Sequence, residues 1–481
     1  MNSILTVSGK QIAAMIARGE LTSRDALEAH IGHIQKVNPK INAMVKDRFE
    51  EARKEADEAD RKRKSLRGKN LPLYHGVPCT IKEAYAMKGM PQTAGLVARK
   101  ENIAVEDATT VARLRKAGAI PMGITNVPEL CMWFETYNLI YGRTKNPYHP
   151  WHIAGGSSGG EGAIVGAGGS PFGLGSDIGG SVRMPAFFNG VFGHKPSGGL
   201  VPGTGHYPVA ENEAARYCTY GVLARHAEDI MPLIGILAGP DGKDRSCVKI
   251  KLGDPAKVKL NNLNVIYIET NRAVKPSKDL CQAQRKCADT LEKKGARIRE
   301  MEIPKLKASF MIWSEMLAEA TDTPFGVMLG NGKEINLILE YIKWLMRLST
   351  HTIPTITFAF MEKLNKMNKG LIKKYAGLGR KLRDELASLI GDKGILLYPS
   401  FPTPAPVHVK PLMTPFHFAY TAILNVMEFP VTQVPLGLND RGLPLGVQVA
   451  ALHGNDHITV ATALELEKAF GGWVPPWEAC R

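Results

Sequence analysis

Residues 175–190 read GSDIGGSVRMPAFFNG, and this stretch carries the strongest signal in the 481-residue chain. Residues 182–189 have the composition of a short helix, because Pro185 is tolerated in a first turn and Gly190 can end a helix. Ser181 is therefore predicted at the N-terminus of this helix, where unpaired N–H groups collect. A serine in that position is either a helix cap or a nucleophile.

The residues before Ser181 are compatible with the catalytic interpretation. Gly179 and Gly180 have no side chains, so the backbone amides of residues 178–181 can turn toward a substrate oxygen. Donors placed in this way stabilise the negative charge that develops when a hydroxyl attacks a carbonyl carbon. From this stretch alone, a helix-capping serine remains an open alternative.

Glycine is concentrated around this motif, with 18 of the chain's 48 glycines in residues 155–205. The apolar segments between them are too regular for a linker, which predicts close approach between backbones. The dinucleotide pattern GxGxxG fails at Ile178, and no GxxxxGK[ST] pattern occurs here. The pattern GxSxG occurs at Ser157 and Ser158, but the prolines of residues 146–154 argue against the preceding strand that a nucleophile elbow requires.

Hydrophobic periodicity predicts an N-terminal helical arm followed by strands. The helices of this arm are predicted over residues 8–18, 23–37 and 48–64. The next segment changes to alternating apolar residues, which predicts a short strand that begins near Val77 and ends at Lys82.

Residues 108–130 read as a helix, a glycine turn and a strand, which is typical of a parallel βα unit. Similar units return near the C-terminus, with strands predicted at 429–438 and 443–452 and a glycine-terminated helix at 457–472. Because strands of one sheet come from both ends of the chain, we expect a single α/β domain.

The composition and the N-terminal sequence argue against a membrane-spanning, secreted, disulfide-bonded or zinc-binding protein. The chain is 44% hydrophobic and 22% charged, and its longest central uncharged run, residues 348–361, is shorter than the roughly 20 residues that span a bilayer. The start lacks the features of a secretory signal. Seven scattered cysteines favour neither a disulfide framework nor a zinc site. We therefore expect an intracellular protein, either cytoplasmic or peripheral to a membrane, with no metal and no cofactor.

The net charge of +15 raises the question of a nucleic-acid partner. The densest basic run, residues 61–69, directly follows an acid-rich helical segment, which is typical of a solvated helix end. No zinc-finger, RNP or basic-zipper pattern accompanies it, so we expect no nucleic-acid partner.

Two longer segments carry a family resemblance. Residues 155–199, GGSSGGEGAIVGAGGSPFGLGSDIGGSVRMPAFFNGVFGHKPSGG, resemble the amidase signature motif, and TIKEAYAMKG at 80–89 resembles the lysine motif of the same family. The resemblance extends over nearly the whole chain and is greatest to the fatty-acid amide hydrolases of type 2. It implies a single-domain amidase-signature fold, with a large mixed, twisted β-sheet covered by helices on both faces.

The resemblance also implies a division of the chain. Residues 1–70 would form the helical arm packed on the core, and residues 71–481 the amidase-signature domain. Within that domain, the motif core is expected at 80–240, a variable apolar cap region at about 300–370, and the closing strands and helix at 391–481.

Catalytic roles follow from the resemblance residue by residue. Ser181 would be the nucleophile, Lys82 the general base, and Ser157, on an unusual cis peptide, the serine that bridges them. The backbone amides of Ile178, Gly179, Gly180 and Ser181 would form the oxyanion hole. A free lysine titrates near pH ~10.4, but burial disfavours its charged form, so a buried Lys82 is a feasible base.

Other residues near the motif are expected to support the site. Asp177 and Arg183 are interpreted as bracing the loop rather than touching substrate. Ser158 either tunes the proton relay or packs among glycines. Cys131, Met132 and Phe134 are interpreted as lining for a substrate channel. Three histidines near the motif, His152, His194 and His206, are interpreted as structural.

Residues 335–361 are predicted to form one amphipathic helix with charged Glu340, Lys343 and Arg347 on a single stripe. One interpretation is an insertion packed on the core. The other is a cap that borders an acyl channel or rests on a membrane surface, as the resemblance suggests. A homodimer is compatible with the sequence.

The sequence therefore predicts a serine hydrolase that cleaves fatty-acid amides, such as primary fatty amides and N-acylethanolamines, through an acyl-enzyme. The expected partner is the lipid amide substrate. Two alternatives with related chemistry remain, a short-chain or aryl amidase and the glutaminase subunit of an amidotransferase. A catalytically silent nucleic-acid-binding protein is the alternative from another class.

Overall fold

The glycine-rich motif and the strand that ends at Lys82 meet in adjacent strands of an eleven-stranded mixed β-sheet. A computed structural model describes residues 3–478 of the chain. Its strands are β1 Met44–Asp47, β2 Pro78–Lys82, β3 Ile120–Thr125, β4 Tyr137–Asn138, β5 Gly142–Arg143, β6 Phe172–Asp177, β7 Phe192–Lys195, β8 Thr219–Ala224, β9 Asn264–Tyr267, β10 Arg297–Glu300, β11 Gly394–Tyr398, β12 Val431–Leu438 and β13 Pro444–Ala450.

Helices of very different lengths connect these strands. They are α1 Gly9–Arg18, α2 Ser23–Ile41, α3 Phe49–Leu66, α4 Thr109–Lys116, α5 Gly159–Gly166, α6 Arg183–Phe188, α7 Ala214–Tyr217, α8 Ile230–Leu237, α9 Lys278–Lys293, α10 Ser309–Ala320, α11 Phe325–Leu329, α12 Leu337–Leu345, α13 Ile353–Lys366, α14 Lys369–Ile390, α15 Lys410–Met413, α16 Ala419–Val426 and α17 Asp456–Phe470.

The sheet runs in the order β1-β3-β2-β6-β8-β7-β12-β13-β11-β9-β10, while β4 and β5 form a separate two-stranded ladder. Strand β2 lies between β3 and β6 and is parallel to both, whereas β6 is antiparallel to β8. The strand that carries Lys82 is therefore internal, with neighbours on each side. All five residues of β2 are buried, including Lys82 at its carboxyl end.

Helices cover both faces of the sheet. Along β11, Ile395 and Leu397 belong to one core cluster, and Leu396 and Tyr398 to another. Because successive side chains of a strand point to opposite faces, the two clusters lie on opposite sides of β11. The first contains residues of α1, α4, α8, α9 and α17, and the second contains residues of α10, α14 and α16. The predicted α/β fold is confirmed.

The N-terminal helices agree with their predicted positions within a few residues. Helices α1 and α2 begin after Ser8 and Thr22, whose side chains accept hydrogen bonds from Gln11 N and Asp25 N. These caps satisfy N–H groups that a helix leaves unpaired at its start. The strand β1, which pairs antiparallel with β3 at the sheet edge, was not predicted.

The glycines of the motif allow close packing, as the sequence analysis predicted. A Cβ atom on Gly160 would lie 2.3 Å from the backbone nitrogen of Asn126, and one on Gly162 would lie 2.7 Å from the Asn189 side chain. Because backbone atoms cannot move aside cheaply, α5 approaches its neighbours only with glycine at such positions.

The prediction of one helix over residues 335–361 is wrong. The structure has two helices, α12 and α13, separated by a turn in which Arg347 adopts a positive φ of 59°. Pro354 occupies the first turn of α13, where its missing N–H costs no hydrogen bond. The amphipathic periodicity gave no indication of this break.

Among residues 3–478, no helix combines the length and apolarity needed to cross a bilayer. The six cysteines in this part of the chain are free thiols.

The packing of α14 against α10 provides a test of the fold with a matched control. A Cβ atom on Gly379 would lie 2.3 Å from Met316 Sδ and 2.8 Å from Ile312 Cγ2, whereas one on Gly377 would meet nothing within 4 Å. We expect Gly379→Ala to lower the free energy of unfolding by about 1–3 kcal/mol through overpacking. Gly377→Ala should be neutral or raise it by up to about 1 kcal/mol.

Urea denaturation of the two variants measures the difference. Equal stability of Gly377→Ala and Gly379→Ala would contradict this close contact between α10 and α14.

Candidate active site

Lys82 lies at the end of β2, and its side chain is 0% exposed. Its Nζ atom lies 2.7 Å from Ser157 Oγ and 2.9 Å from Ser176 Oγ. The two hydroxyls come from different segments, one preceding α5 and the other within β6. The structure therefore brings the predicted base and the predicted bridging serine into direct contact.

The environment of Lys82 favours an uncharged amine. Burial lowers the pKa of Lys82, and this effect exceeds the opposing influence of Cys131, Cys218 and Asp177. Removing an ammonium from water disfavours its charged form unless a carboxylate pairs with it. Its side-chain hydrogen-bond partners are the hydroxyls of Ser157 and Ser176 and the thiol of Cys131, and none of them is a carboxylate, which suits a base that works near neutral pH.

Ser157 and Ser158 hold the segment before α5 against the rest of the site. The Gly156–Ser157 peptide bond is cis, as the resemblance implied. The Ser158 backbone N–H donates to the carbonyl of Ser181 at 3.1 Å, and Ser158 Oγ lies 3.3 Å from both the backbone nitrogen and oxygen of Ser176. Ser158 therefore ties together the segments that carry the other three serines.

Ser181 precedes α6, and its side chain is 7% exposed. The carbonyl of Ile178 accepts from Trp313 Nε1 at 2.8 Å, and that of Gly179 accepts from Thr421 Oγ1 at 2.9 Å. Within residues 3–478, the N–H groups of Ile178, Gly179 and Ser181 donate to no protein acceptor. These three amides remain available to a substrate oxygen.

Gly180 departs from its predicted role. Its N–H donates to Asp177 Oδ1 at 2.7 Å, so this amide is occupied and does not belong to the set of free donors. Gly180 has a φ of 114°, and a Cβ atom there would lie 2.1 Å from Thr421 Oγ1. Glycine is required at this position by conformation and space, and its amide shapes the loop.

Asp177 and Arg183 form a fully buried ion pair under this loop, with Arg183 Nη2 2.9 Å from Asp177 Oδ1. The Asp177 carboxylate also accepts from the backbone N–H of Val182 at 3.0 Å. Burial alone would raise the pKa of Asp177, but the Arg183 guanidinium holds it below its usual range. Arg183 also donates hydrogen bonds to Asn425 Oδ1 at 2.6 Å and to Gln448 Oε1 at 2.6 Å, which connects the ion pair to distant parts of the chain.

A cavity of about 390 Å³ opens beside Ser157. Its wall includes Cys131 and Met132, and a smaller adjoining cavity of about 60 Å³ is lined by Phe134 and Ser181, so the three residues interpreted as channel lining border these cavities. Most of the remaining wall is apolar and comes from distant parts of the chain. It includes Trp133, Ile178, Phe310, Trp313, Phe358, Phe416 and Phe418.

The buried carboxylate of Glu129 connects the wall of the larger cavity to α13. Glu129, immediately before the turn that carries Cys131, accepts from Thr352 N at 2.7 Å and from Thr355 Oγ1 at 2.7 Å. It also lies 2.8 Å from His351 Nδ1. The start of α13 is thereby fixed next to the channel wall.

Two further residues belong to the polar centre: Ser176, which the sequence analysis did not single out, and His206, which it interpreted as structural. Ser176 Oγ contacts both Lys82 Nζ and His206 Nε2, each at 2.9 Å. Ser176 could have been found, because parallel strands place residues near their carboxyl ends at one edge of the sheet. His206 gives no comparable signal. The other two histidines make structural contacts, His152 with Ala405 O and His194 with Asp456 Oδ1.

Comparison with known proteins agrees with this geometry. The family model described as Amidase matches residues 25–460. Fatty-acid amide hydrolase 2 of Homo sapiens is 45% identical over an alignment that covers 98% of this chain and 91% of that protein. Fatty-acid amide hydrolase 2-A of Danio rerio is 44% identical, with 99% and 91% covered.

A solved structure of 6-aminohexanoate cyclic dimer hydrolase superposes with a TM-score of 0.77 and 25% identity, covering 97% of each chain. The match to the family model spans most of the chain, and the two relatives align along almost its full length. The chain belongs to the amidase signature family.

Proposed function

We propose that this protein hydrolyses fatty-acid amides to a free fatty acid and an amine, using Ser181, Ser157 and Lys82. The main support for this proposal is the buried Lys82 amine, which lies 2.7 Å from Ser157 Oγ. The loop before α6 offers free backbone N–H groups beside it. The activity of the fatty-acid amide hydrolase 2 relatives supports the substrate class.

In the first step, Ser181 Oγ forms a bond to the substrate carbonyl carbon, and its proton passes through Ser157 to the neutral amine of Lys82. The carbonyl oxygen becomes an oxyanion, which accepts hydrogen bonds from the free amides of Ile178, Gly179 and Ser181. The bracing of this loop by Asp177 keeps those donors in place before the substrate binds.

In the second step, the carbon–nitrogen bond breaks, and Lys82 returns the proton through Ser157 to the leaving amine. A water molecule then attacks the acyl-enzyme while Lys82 again accepts a proton, and this proton returns through Ser157 to Ser181 Oγ as the bond to the fatty acid breaks. Because only the neutral amine accepts a proton, activity is present above the pKa of Lys82. It is lost as the pH falls through that value.

The channel supports an acyl chain as the group that lies next to Ser181. The residues nearest the reacting hydroxyls include Met132, Trp133 and Phe418, whose side chains favour contact with hydrocarbon. Glutamine carries a charged α-amino group and a charged carboxylate, which this apolar wall would strip of water without offering partners. A glutaminase function therefore fits the cavity less well.

The surface of α12 supports contact with a lipid surface. Ile338 and Leu345 are 66% and 72% exposed, whereas Glu340 is only 7% exposed and bonds to Lys343 and Ser349. The helix thus turns apolar side chains outward and a carboxylate inward, the reverse of an ordinary surface helix. We propose that this face, near the cavity that α13 lines, rests on a membrane from which lipid amides enter.

The substrate class is tested by comparing hydrolysis of oleamide, propionamide and glutamine by the purified chain. We expect kcat/KM to be highest for oleamide, and Ser181→Ala to abolish both hydrolysis and labelling by a fluorophosphonate. A higher kcat/KM for glutamine than for oleamide would end the proposal for lipid amides. Persistent labelling of the Ser181→Ala variant would show that the nucleophile is assigned wrongly.

The membrane proposal is tested by co-sedimentation with vesicles of phosphatidylcholine and phosphatidylserine. The Ile338→Glu/Leu345→Glu variant should bind at least about tenfold more weakly, because charged groups resist burial among acyl chains. Val105→Glu, at a position 85% exposed outside α12, is the matched control and should bind as the unmodified chain does. Unchanged binding of the α12 variant would refute the proposed contact.

A further inference from the structure

The proposed mechanism leaves two buried polar residues near the base, Ser176 and His206, without a role. His206 is almost fully buried, and its Nε2 lies 2.9 Å from Ser176 Oγ, which in turn lies 2.9 Å from Lys82 Nζ. On the opposite side of the ring, His206 Nδ1 lies 3.0 Å from the carbonyl oxygen of Pro208. These contacts connect a backbone carbonyl to the catalytic amine.

The carbonyl at the end of this chain fixes the direction of the bonds that follow it. A carbonyl oxygen can only accept, so His206 Nδ1 carries a hydrogen and donates to Pro208. In the neutral ring, Nε2 then has no hydrogen and accepts from the Ser176 hydroxyl. Since Ser176 has only one hydroxyl hydrogen, its contact with Lys82 must be an N–H donated by the amine.

The neutral state of the ring is consistent with its surroundings. Burial, and then the nearby Lys82, lower the pKa of His206 to about 3. The rings of Tyr85 and Tyr220 pack against His206, with centroids 5.0 and 5.1 Å away, and bring no carboxylate that would favour a charged imidazole. The direction of the hydrogen bonds is therefore the same over the working pH range.

We propose that His206 is a positioning residue which, through Ser176, orients the lone pair of the neutral Lys82 amine toward Ser157. One N–H of the amine is committed to Ser176, and the lone pair faces the other hydroxyl, 2.7 Å away. Ser157 can then donate to Lys82 and accept from Ser181. The hydrogen bonds from Ser157 to the carbonyl of Pro208 then all run in one direction, which leaves the Ser157 oxygen to accept the proton of Ser181. This inference rests on the proposed roles of the three catalytic residues.

Loss of the acceptor should release Ser176. In His206→Phe, the aromatic packing against Tyr85 and Tyr220 is kept, but the Ser176 hydroxyl is free to rotate and donate to the Lys82 lone pair. The amine would then be oriented wrongly for Ser157, and its neutral form would be stabilised. We expect kcat to fall by about 10- to 100-fold with little change in KM, because misalignment at a reacting centre has effects of this size.

The pH profile separates this role from a purely structural one. In His206→Phe, the acidic limb of kcat should move to lower pH while the plateau falls. His206→Gln is the conservative control, since a glutamine amide can donate to Pro208 and accept from Ser176, and it should recover most of kcat. Ser176→Ala should also lower kcat, and adding His206→Phe to it should cause little further loss.

Unchanged kcat and an unchanged acidic limb in folded His206→Phe would overturn the proposal, as would equal losses in the Phe and Gln variants. If His206→Phe does not fold, Ser176→Ala decides, because it removes the hydroxyl through which His206 acts, and an unchanged kcat with an unchanged acidic limb there would overturn the proposal. Fluorophosphonate labelling of Ser181 in the unmodified chain tests the proposed function separately, because it does not depend on His206.

Discussion

The removal of the Lys82 amine from water is the constraint on which the rest of the site depends. Strand β2 is internal to the sheet, and the amine at its end contacts two hydroxyls, on Ser157 and Ser176. A lysine with these neighbours loses the stabilisation that water gives to its charged form. The same amine on an edge strand would be an ordinary surface cation.

A second requirement is a loop whose backbone donors are fixed without the help of substrate. Asp177 takes the N–H groups of Gly180 and Val182, and Arg183 anchors Asp177 to α16 and β13. These bonds leave the amides of Ile178, Gly179 and Ser181 free. The Asp177–Arg183 ion pair therefore determines which backbone N–H groups face the substrate. The pair is buried, and its polar atoms are hydrogen-bonded on all sides.

The sequence predicted the features that depend on neighbouring residues and missed those that depend on distant contacts. The strand ending at Lys82 and the short helix after Ser181 follow from alternation and from glycine and proline placement. The occupied amide of Gly180 depends on an aspartate side chain turning back, which spacing does not show. His206 and Trp313 reach the site across 30 and 135 positions from their partners Ser176 and Ile178, and no local pattern predicts such contacts. The turn between α12 and α13 was missed because apolar periodicity continues through it.

The proposed chemistry requires Lys82 to be an uncharged base at neutral pH. The most direct measurement is an NMR titration of the chain labelled with ¹³C and ¹⁵N in lysine, with the Lys82 signal assigned by its absence in Lys82→Met. The account predicts that the Lys82 amine titrates well below the value of about 10.4 that exposed lysines show. A Lys82 signal that titrates with the exposed lysines would contradict the account.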